Sequence, residues 1–230
     1  MKLPAPLYSG RLLRRYKRFF ADVELDDGRI VTAHTPNTGS MLQCAIPGHR
    51  VLITAAGNPL RKLPWTLELI EVNGFWVDTH THRTNRIVEE GLRRGMIDEL
   101  SGYQVRAEVP YHDSRFDFFL ERGGEKVFVE VKNVTLCSPS GVASFPDAVT
   151  VRGQKHLREL ARARAEGFRA VIVFLVQRSE ATAFTPADAI DPVYGTLLRE
   201  VTAAGVEALA YRSVVTPEAA SIGIRLPIRL

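Results

Sequence analysis

Asp117, Glu130 and Lys132 have the residue types and spacing for phosphodiester chemistry. Side chains alternate faces along a strand. On a strand over Lys126–Leu136, Glu130 and Lys132 therefore share one face while Val129 and Val131 turn into a core. Asp117 falls on the partner strand of the same hairpin, opposite or diagonal to them. Two carboxylates and an ammonium on one patch of sheet suit metal-assisted hydrolysis: the carboxylates would hold Mg2+ (or Mn2+), which also binds the scissile phosphate. Lys132 would orient the attacking water or help deprotonate it. Glu90, on a helix just before the sheet, could add a further acid. An alternating Glu-x-Lys also suits a plain solvent-facing strand, but Phe116, Phe118, Val127 and Phe128 mark these strands as part of a substantial core. The acid pair could imitate a glycosidase's two carboxylates, yet Lys132 beside it fits phosphate better.

Two basic clusters could hold the substrate. In Phe145–Leu157, the residues Arg152, Gln154, Lys155 and His156 fall at the start of a helix, whose N-terminus favours phosphate. A capped amphipathic helix with a solvated basic face would read the same way. In Arg11–Phe20, the cations Arg11, Arg14, Arg15, Lys17 and Arg18 are interleaved with aromatics, Tyr16 among them. That pattern suits phosphate contact plus base stacking, as on barrels that bind single strands, or else an edge strand with a charged outer face. With Lys2, the first twenty residues carry six positive charges and no acid, against a net +4 for the whole chain. The positive excess is therefore a local patch.

The elements needed to position these residues form two groups. Up to about residue 75, short strands divided by turns predict a small β-barrel or sandwich. They are an extended segment over Gly10–Leu25, the Asp26-Asp27-Gly28 turn, Arg29–Thr35, a Pro36-Asn37-Thr38-Gly39 loop, Arg50–Ala55 ended by Gly57-Asn58-Pro59, and Trp65–Val72. From about residue 80, a helix capped by Thr84 and running to Leu100 precedes strands over Tyr103–Val109, Arg115–Glu121 and Lys126–Leu136. A helix over Arg152–Glu166, a buried strand over Ala170–Val176, a helix over Pro192–Ala204 and a strand over Val206–Tyr211 complete a mixed α/β (α+β) domain. The expected division is 1–80 and 81–230, with the boundary near 75–83.

Composition excludes several classes. With 45% hydrophobic and 24% charged residues, the chain is neither disordered nor fibrous. The opening MKLPAPLYSG has no apolar run of signal-peptide length, and no stretch approaches a membrane span. Cys44 and Cys137 lack pair or ligand spacing, so both read as small buried hydrophobes in a reducing cytoplasm. His80 and His82 have no third ligand nearby in sequence, and no dinucleotide or P-loop fingerprint is present. No small-molecule cofactor or membrane partner is expected.

Several longer stretches now align with one family. R-Y-K-R-F, A-H-T-P-N-T-G-S-M, S-R-F-D-F-F-L, E-V-K-N-V-T-L, F-P-D-A-V-T-V-R-G-Q-K-H-L-R-E-L and G-V-E-A-L-A-Y resemble the sugar fermentation stimulation protein (SfsA) family over about residues 10–212. The resemblance implies an OB-like nucleic-acid-binding barrel followed by a PD-(D/E)xK, restriction-endonuclease-like mixed sheet with flanking helices. It also implies DNA binding, with little sequence readout, and a regulatory role in sugar (maltose) metabolism. On this resemblance Asp117 is the first acid of the nuclease motif, Glu130 and Lys132 are its E-x-K, Glu90 is the helix acid, and Gln154 and Lys155 are polar positions on the following helix. Ser40 stands where the family often has arginine, and Lys17 where it often has asparagine. Two functions stay open: a Mg-dependent DNA nuclease, or a non-catalytic DNA-binding regulator that keeps the nuclease fold. Oligomeric state is not legible.

Overall fold

The computed structural model describes residues 1–230 apart from Thr38 and Pro59, which lie in two of the predicted turns. Strands β1 (Tyr8–Tyr16), β2 (Phe20–Leu25), β3 (Ile30–His34), β4 (Arg50–Ala55) and β5 (Trp65–Val72) close on themselves. Neighbours run antiparallel in the order β3-β2-β1-β4-β5, and a parallel β3–β5 pairing at Ala33↔Trp65 seals the barrel. Leu12, Val23, Val51, Ile53, Leu67 and Ile70 fill its interior. A short β6 (Phe75–Asp78), unforeseen from the sequence, pairs on β5.

The expected single strand over Gly10–Leu25 is instead the β1–β2 hairpin, with Tyr16 paired to Phe20. No glycine or proline flags its turn. Lys17 and Arg18 make it by adopting left-handed backbone, φ 48° and 63°, a region uncommon for residues with a Cβ. Apolar alternation carries on through the turn because Leu12 and Val23 face the same core.

Helix α1 (Thr81–Arg93) follows, then a 3-10 turn Asp98–Leu100 and an antiparallel run β7 (Gln104–Tyr111), β8 (Ser114–Arg122) and β9 (Glu125–Val134). Next come β10 (Leu136–Cys137), β11 (Val142–Phe145), α2 (Val151–Ala165), β12 (Arg169–Val176), β13 (Ala183–Pro186), α3 (Pro192–Ala203), β14 (Glu207–Val215) and β15 (Ala220–Leu226). The main sheet has the order β15-β14-β12-β9-β8-β7, with β9, β12 and β14 parallel. β10, β11 and β13 make a small second sheet. Helix α1 starts before the expected Thr84 and ends at Arg93; Gly95, at φ 66°, turns the chain so that Ile97 and Leu100 reach the core through the 3-10 turn. Thr150 Oγ1 accepts the Gly153 N–H at the start of α2, and Asp191 accepts the Tyr194 N–H ahead of Pro192 at the start of α3, both standard N-caps.

Apolar cores lie on both faces of the main sheet. One side packs α1 and the barrel's Leu52 and Leu69 against Val129, Val131 and Val173. The other packs α2 and α3 against Phe128, Ile172 and Phe174. The N-terminus also joins the second unit, since Lys2 bridges to Ala219 and Leu3 is buried in the α1-side core. Cys44 and Cys137 are free and buried. Among the described residues no helix is long and apolar enough to cross a membrane.

Candidate functional site

Strand alternation divides β9 as its sequence dictates: Val129 and Val131 point to α1, and Glu130 and Lys132 to α2. The β8–β9 ladder stops at Phe118↔Val129. Beyond that point the strands part, which frees the Val131 N–H, and Asp117 Oδ2 accepts it at 2.7 Å. Asn85 on α1 donates to Asp117 Oδ1 at 2.7 Å. The acid brought in from β8 is thus held by the backbone beside Glu130.

Glu130 is the charge centre. Lys132 Nζ lies 2.6 Å from its Oε1 and 3.1 Å from His156 Nδ1, and His156 Nδ1 also contacts that Oε1. Arg152 Nε donates to His156 Nε2 at 3.4 Å. Burial pushes the Glu130 carboxyl up, but Lys132 and His156 outweigh it and hold it below the usual range. Asp117 goes the other way: burial, then the negative charge of Glu130, push it up to about 6. Two adjacent acids whose environments drive their pKa values apart are a common mark of a reacting site.

The residues present accommodate a hard divalent cation. Glu130 Oε2 is buried without a partner, and Asp117 and Glu130 repel one another, so a cation between them would relieve both defects. Among the described residues no group of three or more His, Cys, Asp or Glu side chains is arranged for a metal. Such a site would rest on this carboxylate pair, completed by ligands other than those side chains.

The pair opens on a cleft of about 1210 Å3. Arg115, Arg152 and Lys155 line its second-domain side, and Arg15, Arg18 and Ser40 its barrel side. The barrel wall is tied down. Arg15 donates to the carbonyls of Asn37 (2.7 Å), Gly39 (2.9 Å), Ser40 (3.0 Å) and Arg18 (2.8 Å). Ser40 Oγ donates to the Asp147 carbonyl (2.6 Å), and Met41 N–H to Asp147 Oδ2 (2.8 Å). Ser40 is thus a joint between barrel and second domain.

Several expected contacts fall elsewhere. Glu90 does not line the cleft; it pairs with Arg94 and with the Met1 amino group. Its helical phase explains this: five residues past Asn85 it points about 140° around α1. Gln154 is buried, and its amide donates to Asp191 in the α3 cap. Arg11 bonds the Gly48 carbonyl, and Arg14 pairs with Asp22 while lying over Tyr16, which itself stacks on Phe20. None of these, nor Lys17, lines the cleft, whereas Arg18, Arg152 and Lys155 do. His156, read only as part of the basic cluster at the start of α2, was not foreseen beside Glu130, and Asn85 was missed altogether. Their only sequence signal is helical spacing, with His156 one turn after Arg152 and Asn85 one position past Thr84.

A closed barrel joined to a mixed α/β sheet, with a basic cleft between them and an acid pair on its floor, defines a two-domain protein with an OB-type N-terminal unit. The chain belongs to the sugar fermentation stimulation protein family. The family models for the SfsA N-terminal OB domain and the sugar fermentation stimulation protein RE domain match residues 13–78 and 82–219. Sugar fermentation stimulation protein homologs from Syntrophotalea carbinolica and Geobacter sulfurreducens are 65% and 55% identical; the matches cover 100% and 99% of this chain, and 100% and 98% of theirs. SfsA of Pyrococcus furiosus, solved in complex with Ca2+, superposes with a TM-score of 0.90 at 30% identity, covering 100% of both chains.

Proposed function

We propose that this protein binds DNA in the basic cleft and hydrolyses a phosphodiester at Asp117, Glu130 and Lys132. The observation that carries the reading is the convergence of two buried carboxylates and Lys132 on the cleft floor, with Glu130 Oε2 left unpartnered. Asp117 and Glu130 would hold Mg2+ or Mn2+, which would supply Lewis-acid stabilisation of the phosphate oxygens. The Ca2+ held by the Pyrococcus furiosus relative supports a hard-cation, oxygen-ligand site. Lys132 orients the attacking water and offsets developing negative charge. His156 keeps Lys132 and Glu130 in register. Arg18, Arg115, Arg152 and Lys155 hold the backbone by charge, with little base readout.

Labelled single- and double-stranded DNA incubated with Mg2+, Mn2+ or EDTA tests the proposal. Metal-dependent cutting that falls by at least about 100-fold in Asp117→Asn and Lys132→Ala, with DNA binding largely kept, is the expected result. Salt-sensitive binding without cutting in any metal would place the protein with non-catalytic DNA-binding regulators instead.

A further inference from the structure

At the tip of the β1–β2 hairpin Phe19 is 43% exposed, flanked by the exposed Lys17 and Arg18. Its ring lies parallel to His34 (4° between planes, centroids 6.3 Å apart). A single exposed phenylalanine is ordinary. Here, though, the ring pair adjoins Arg18, which lines the cleft. The His80 and His82 rings are 6.2 Å apart, and the exposed His82 lines the cleft, as does Arg18. The hairpin tip thus carries the Phe19–His34 ring pair with Lys17 and Arg18 beside it, and the cleft mouth carries the His80–His82 pair.

Flat rings alternating with cations match unpaired nucleotides, whose bases stack on the rings while their phosphates meet the charges. A duplex presents its phosphates but keeps its bases stacked on each other, so it has no use for an exposed ring at this place. The geometry points to a single-stranded DNA segment as the ligand, one unpaired base stacking on Phe19 and the strand running past His82 to Asp117 and Glu130. The inference rests on the DNA-binding reading above and narrows it to unpaired strand.

The test is anisotropy with the full chain in EDTA, using an oligodeoxynucleotide of about 20 nucleotides, longer than one barrel's site, as single strand and as duplex. 2-Aminopurine in the single strand reports stacking. Phe19→Ala weakens single-strand binding by roughly tenfold, the loss of one stacked base, and abolishes the 2-aminopurine quench. Duplex binding stays unchanged, and Phe19→Trp restores the single-strand affinity. Equal effects of Phe19→Ala on both forms, or no effect on either, would overturn the stacking site while leaving DNA binding intact. Failure of the wild type to bind either form would overturn the DNA-binding reading itself.

Discussion

Asp117 and Glu130 are two buried acids side by side whose surroundings push their carboxyls in opposite directions. The Asp117 carboxyl sits at about 6 because burial and Glu130 disfavour its anion, while its ordinary value is 3.8. The sign follows. A carboxyl whose folded pKa is raised binds its proton more tightly when folded, so its anion costs stability above about pH 6 and nothing below about 4. Asp117→Asn keeps an oxygen acceptor for the Val131 N–H and removes the charge. It should raise stability at pH 7 by on the order of 1–3 kcal/mol, a gain that vanishes by pH 4, while ending the proposed cleavage. Thermal melts of both proteins at the two pH values check this; a variant less stable than wild type at pH 7 would contradict the placement of the acid pair.

Among the elements, α1 does most to position the site, because it touches both the acid pair and the barrel. Its Asn85 holds Asp117, and its Thr84 donates to Asn133 on β9. One residue earlier, Arg83 is buried between barrel and sheet, paired with Glu68 of β5 and with Asp78 at the end of β6. Thr54 of β4 donates to the same Glu68 at 2.6 Å. Burial pushes the Asp78 carboxyl up to about 6 even with the Arg83 guanidinium pulling it down. Arg83→Ala leaves two buried acids without their cation and should cost about 3–5 kcal/mol in urea unfolding. A loss of less than 1 kcal/mol would show that water replaces the guanidinium.

At the scale of the molecule, Ser40 and Met41 fasten the barrel wall of the cleft to Asp147 of the second domain. The cleft's cations come from both units, so the proposed DNA binding should weaken steeply with salt. Each phosphate neutralised contributes a slope of about −0.9 in log K against log salt. Arg152→Ala should therefore flatten the slope by about 1 and weaken all sequences alike, as titrations between 50 and 200 mM salt would reveal. An unchanged slope would remove Arg152 from the phosphate-binding wall.

The sequence by itself determined what is local. Alternation along β9 puts Glu130 and Lys132 on one face whatever surrounds them, and the switch from a two-residue to a helical period near residue 80 marks the change from barrel to helix-and-sheet. Apolar patterning found most of the strands, but it passed over the β1–β2 turn because two non-glycine residues adopt left-handed backbone there. It also passed over β6 and β15, which pair with the strands just before them, and over β11 and β13, which pair with each other across α2 and β12. The β8–β9 hairpin brings Asp117 beside Glu130 as local pairing predicts, and the parting of the strands beyond Phe118 holds it there. Tertiary structure alone decided who joins that pair: His156 does because α2 packs across the β9 face, and Glu90 is excluded by its phase on α1. The barrel reaches the site through contacts between Ser40, Met41 and Asp147 that span more than a hundred residues of chain. Periodicity encodes which face a residue takes on its own element, and only packing encodes which faces of distant elements meet.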